Sequence, residues 1–102
     1  MNSINSKFKM WSLFPFIARD IALWVPEGVE SSEIEKIIKE NMGDMVVRGP
    51  ELFDEFKKDG KISYAFRLVF QSYDRTLTDL EVNEIMTKIT DKLKENQGWQ
   101  VR

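Results

Sequence analysis

The sequence predicts an α+β fold, a four-stranded antiparallel sheet with two helices on one face, and three observations carry that reading. Two stretches repeat apolar residues at helical spacing behind capping signals. One stretch alternates apolar and polar residues with a period of two, and two strand-like runs meet at an Asp-Gly turn. With 102 residues, 42% of them hydrophobic, the chain suits one domain that can bury a core without metal or disulfide staples.

Residues 1–13 are polar and then mixed, with no clean period, and read as an arm or linker that packs at most through Phe8, Met10, Trp11 and Leu13. The domain proper is expected over 14–102. Ile17 to Val25 is rich in β-formers and stops at Pro26-Glu27-Gly28, a turn signal. Its faces are both apolar, as a central strand requires.

In SSEIEKIIKENM, Ser32 stands three residues before Glu35 in capping-box spacing, and Ile34, Ile37, Ile38 and Met42 form the apolar stripe of a helix ended by Gly43. The run DMVVRGPELFDEF follows as a strand interrupted at Gly49-Pro50. Proline has no N–H to give a ladder, so this strand is expected at a sheet edge with a bulge or bend.

After the turn at Asp59-Gly60, Ile62, Tyr64, Phe66, Leu68 and Phe70 point to the core, while Ser63, Ala65, Arg67, Val69 and Gln71 lie on an open or partly covered face. Thr78, with Glu81 at capping-box spacing, starts a long helix carrying Val82, Ile85, Met86, Ile89 and Leu93 on one stripe. Leu77 is placed to staple it and Arg75 to pair with a nearby acid. Asn96-Gln97-Gly98 ends it, and 99–102 form a last short strand. The order β-α-β-β-α-β is ferredoxin-like.

Composition removes most chemistry. The chain has no cysteine and no histidine, so thiolate nucleophiles, thiol zinc sites and imidazole acid–base catalysis are excluded, and no cofactor or metal is expected. No apolar run approaches the ~20 residues that span a bilayer, and the start lacks a signal-type stretch, so a soluble cytoplasmic protein with no membrane partner is expected. The net charge of −2, from 15 basic and 17 acidic residues, gives no general attraction to a polyanion. Binding to a nucleic acid must then be local, through a few placed groups and with a modest salt dependence.

Glu33/Glu35 and Asp79/Glu81 have the look of paired carboxylates, but they fall in first helical turns, where acids complement the helix dipole. The segment 26–30 after the first strand is acidic and unsuited to a phosphate cradle of acylphosphatase type. KISYAFRLVF invites comparison with the aromatic third strand of RNA-recognition motifs, yet Tyr64 and Phe66 share the parity of the core set. Asp54, Phe56, Ser63 and Arg67 flank or follow one hairpin and offer a carboxylate acceptor, a stacking ring, a hydroxyl and a cation, a kit for one or two unstacked bases. Spacing alone favours the plainer reading of a solvated hairpin.

Phe14-Pro15 with Arg19-Asp20-Ile21-Ala22, then Glu51-Leu52-Phe53-Asp54-Glu55-Phe56, then Ser63-Tyr64-Ala65-Phe66-Arg67-Leu68, then Arg75-Thr76-Leu77-Thr78-Asp79 running into Glu81-Val82-Asn83, resemble in order and spacing the C-terminal ferredoxin-fold anticodon-binding domain of phenylalanine–tRNA synthetase beta chains. The resemblance covers roughly residues 8 to 102. It implies a non-catalytic module of the ligase that docks on the anticodon stem-loop of the phenylalanine tRNA and serves aminoacylation. The implied partners are that tRNA, the remainder of the synthetase chain and its catalytic subunit. The family's base-contacting hairpin carries over to Asp54, Phe56 and Ser63, with Arg19 a further RNA-binding candidate beside Arg67.

Two departures stand out. Family members commonly have tyrosine where Phe56 stands, leaving stacking without the hydroxyl. Their hairpin is often longer, with a lysine directly before the serine, whereas Ile62 here separates Lys61 from Ser63. The alternative function is a regulatory or interaction domain of the same fold, which binds a small metabolite or self-associates through the open face or the edge at Pro50.

Overall fold

A computed structural model describes residues 14–102; the expected arm, with Phe8, Met10, Trp11 and Leu13, lies outside the described residues. The elements are β1 (Ile17–Pro26), α1 (Ser31–Asn41), β2 (Val46–Lys58), β3 (Lys61–Phe70), α2 (Asp79–Lys94) and β4 (Gln100–Val101). The strands form one antiparallel sheet in the order β2-β3-β1-β4. The fold is the expected ferredoxin-like α+β arrangement.

One face of the sheet holds the core. Ile21, Leu23 and Val25 of β1 and Ile62, Tyr64, Phe66, Leu68 and Phe70 of β3 pack with Ile34 and Ile38 of α1 and Val82, Ile89 and Leu93 of α2. The core set of β3 is therefore as expected, with Tyr64 and Phe66 in the core, whereas Ser63, Ala65 and Gln71 of the opposite set, expected on an open or partly covered face, are buried as well. Tyr64 keeps its hydroxyl satisfied by donating to the Val29 carbonyl at 2.9 Å.

β2 is an edge strand, and its register against β3 shifts between Arg48 and Glu51, on either side of Gly49-Pro50, and again between Leu52 and Asp54. Gly49 has φ +98, and a Cβ there would collide with the Arg67 carbonyl of the neighbouring strand. Glycine is needed because β3's backbone passes so close. Pro50 itself is buried, so the proposed exposure at this edge belongs to its neighbours. The turn Asp59-Gly60 has φ 53 and 78, both positive as a two-residue hairpin turn with matching twist requires.

One local expectation is corrected. The cap of α1 is Glu30, two residues before Ser32: the Glu30 N–H donates to Glu33 Oε2 at 2.8 Å, and Ser32 sits inside the first turn. Glu35 pairs with Lys39 at 3.0 Å. The cap of α2 is Thr78, as read, and Leu77 is buried in the core beside it.

Candidate nucleic-acid interface

Among the described residues no helix covers the second face of the sheet. Period-two alternation and the strand register place its side chains in rows. Phe56 of β2, Ser63 of β3, Trp24 of β1 and Gln100 of β4 form one row. Asp54, Ala65 and Ala22 form the next, and Glu51, Arg67 and Asp20 the third. At the hairpin end, Lys58 lies opposite Lys61.

The bulge between Leu52 and Asp54 adds Phe53 to this face. The Arg67 guanidinium sits 4.7 Å from the Phe53 ring centroid. It also donates to both oxygens of Asp20, at 2.8 and 3.0 Å. This hydrogen-bonded pairing holds the Asp20 carboxyl below the usual carboxylate range, against a smaller opposing effect of burial. Arg67, expected as a free cation for RNA, is thus already engaged on both sides.

Phe56 is 53% exposed and meets Trp24 edge-on, with centroids 6.1 Å apart. Ser63, read as part of an open face, is only 3% exposed. It lies in the row between these two rings, and Arg102 Nη1 donates to its hydroxyl at 2.9 Å. The Arg102 guanidinium also lies 5.7 Å from the Trp24 ring centroid. Because Ser63 Oγ accepts from Arg102, its own proton remains to be given to another acceptor. Ala65, in the next row beside Asp54, is also small and buried.

Asp54 is exposed and has no ion-pair partner among the described residues. An ionised carboxylate only accepts, so it suits a ligand edge that donates N–H groups. Asp54, Phe56 and Ser63 are brought together on one face, and Arg67 closes its far end. Arg19 is not with them: it has the parity of the core side and pairs with Asp79 at 3.1 Å, at the start of α2.

Sequence reading passed over Trp24, Phe53 and Arg102. Trp24 was open to discovery, since Ala18, Asp20, Ala22 and Trp24 alternate against Ile21, Leu23 and Val25. Phe53 needed the bulge, and Arg102 needed the pairing that runs past β4, in which its N–H donates to the Ala22 carbonyl at 2.7 Å.

Residues 12–102 match the family model described as the ferredoxin-fold anticodon binding domain. The chain belongs to that family. A phenylalanine–tRNA ligase beta subunit from Trichormus variabilis is 41% identical over 99 residues, covering 93% of this chain and 12% of the relative. One from Clostridium tetani is 38% identical over 98% of this chain and 13% of the relative. A chloroplastic/mitochondrial phenylalanine–tRNA ligase from Arabidopsis thaliana is 33% identical, covering 97% of this chain and 23% of that protein. The chain thus spans about an eighth of the length of the two bacterial subunits, as the 12% and 13% shares state. Within this anticodon-binding domain the exposed carboxylate and rings occupy the side of the sheet opposite both helices.

Proposed function

We propose that the domain binds the anticodon stem-loop of the phenylalanine tRNA and contributes recognition, without chemistry of its own, to a phenylalanine–tRNA ligase working in the cytoplasm. The remainder of a beta chain and a catalytic subunit are its proposed protein partners. The observation that carries the reading is a sheet face that no helix covers among the described residues, on which Asp54, a carboxylate with no ion-pair partner among them, stands beside an exposed ring, Phe56. Phe56 stacks on an unpaired base, Asp54 accepts from that base's donor edge, and Ser63, held by Arg102, gives its hydroxyl proton to an acceptor.

The test is binding of a labelled anticodon stem-loop RNA, followed by fluorescence anisotropy, against the same stem with a scrambled anticodon. Asp54→Ala and Phe56→Ala each weaken the cognate arm by roughly tenfold and shrink its margin over the scrambled one. Equal affinity of the wild-type domain for both arms overturns base readout.

Self-association through β2 has one feature in its favour: among the described residues its outer edge has no strand partner. The bulges of β2 and its lysines near the hairpin blunt that edge against further pairing.

A further inference from the structure

The open face continues past Phe56 and Ser63 to the hairpin tip, where Trp24, Lys58, Asp59, Lys61 and Gln100 line an open cleft of about 220 Å³. Four of the five belong to the same face by register: Trp24 and Gln100 share the Phe56–Ser63 row, and Lys58 and Lys61 form the next row out. Neither lysine makes an ion pair among the described residues. Asp59 is the one acid in the lining, so the cleft carries a net charge of +1, two lysines less one aspartate. This contrasts with the chain as a whole, at −2.

Resting on the function proposed above, we propose that this cleft is a phosphate-binding subsite for the nucleotide backbone that adjoins the base stacked on Phe56. Phe56 and Lys58, like Ser63 and Lys61, are two residues apart on one face, about 7 Å along the strand. A base on the Phe56 ring therefore carries its sugar–phosphate within the reach of flexible lysine side chains. Lysine acts there as a compact point charge with three donors, which suits a phosphate and reads no base. Trp24 supplies the apolar wall for the sugar, and Gln100 an amide that donates to a phosphate or sugar oxygen. The division of labour is spatial: sequence is read in the Asp54–Phe56–Ser63 rows, and the backbone is held one row further out.

The two roles separate in one experiment. A Lys58→Ala/Lys61→Ala double variant is compared with wild type for binding to the cognate and scrambled-anticodon stem-loops over a series of salt concentrations. A control variant, Lys36→Ala/Lys88→Ala, removes the same charge from the helical side of the molecule. The expected result is an equal loss, about threefold or more, on both RNAs, with the cognate-to-scrambled ratio unchanged. The slope of log affinity against log salt becomes shallower by about 0.7 for each phosphate contact removed.

Wild-type affinity and slope in the Lys58/Lys61 variant, or a loss no larger than the control's, overturns the cleft while leaving the Asp54–Phe56 reading intact. Conversely, a wild-type domain that binds both RNAs equally, and weakens only with the lysine pair, sustains the cleft and overturns base readout. Failure of wild type to bind either RNA overturns both.

Discussion

Gly49 shows how one residue's stereochemistry fixes the shape of the candidate interface. Its φ is positive, a Cβ there would collide with the Arg67 carbonyl, and one of the shifts in β2 register, between Arg48 and Glu51, spans it. Gly49→Ala meets both obstacles and is expected to lower stability by more than about 1 kcal/mol, read as a lower urea midpoint. Gly60→Ala, whose Cβ would meet nothing within 4 Å, is strained by φ alone and costs less. Equal losses in the two variants would show that the close approach to Arg67 contributes nothing. Arg67 itself illustrates a limit of residue-by-residue reading. The sequence offers it as a cation for RNA, and only the strand register reveals Asp20 opposite it and Phe53 beneath it.

The two helix starts differ in what their local sequences disclose. For α2, Thr78 and Glu81 cap each other, with Glu81 N donating to Thr78 Oγ1 at 3.2 Å and Thr78 N to Glu81 Oε2 at 2.9 Å. Arg75 donates to the same carboxylate at 2.6 Å. For α1 the Ser32–Glu35 spacing pointed two residues too far along. The chain is pinned just before Glu30 by the Val29 carbonyl accepting from Tyr64, 35 positions away, and by the turn in which Val29 N–H donates to the Pro26 carbonyl. A local motif carries no trace of so distant a contact. Element order, core parity and the hairpin were legible because period and turn chemistry are local. Bulge position and the partners of open-face residues were not, because register is decided across strands. The α2 cap also has a pH signature. The Arg75 hydrogen bond, then the Thr78 backbone N–H, lowers Glu81 from 4.5 to about 2. A folded value below the unfolded one stabilises the domain above the unfolded pKa, and that contribution is lost as pH falls from about 4.5 towards 2. Glu81→Gln is expected to flatten this acid limb in urea midpoints taken across that range, with Thr78→Ala costing about 1 kcal/mol near neutral pH. An unchanged limb in Glu81→Gln would remove the pair from the acid response.

Across the whole molecule, one sheet divides its labour between two faces, and two phenylalanines on neighbouring strands make the division measurable. Phe66 is fully buried against the helices, whereas Phe56, on the other face, is 53% exposed and touches the edge of Trp24. Deleting the first ring leaves a cavity in close-packed surroundings, so Phe66→Ala is expected to cost about 3–5 kcal/mol, a large part of the ~5–15 kcal/mol that holds such a domain together. Deleting the second loses one edge contact and some half-covered area, about 1 kcal/mol. The same two changes should rank oppositely in RNA binding. Phe56→Ala loses the stacking surface in a domain that is still folded, while Phe66→Ala, measured well below its own urea midpoint, keeps the exposed face and its affinity for the cognate stem-loop. Comparable stability losses in the two variants would mean that Phe56 is a structural ring. Its exposure would then no longer mark a place kept open for a base.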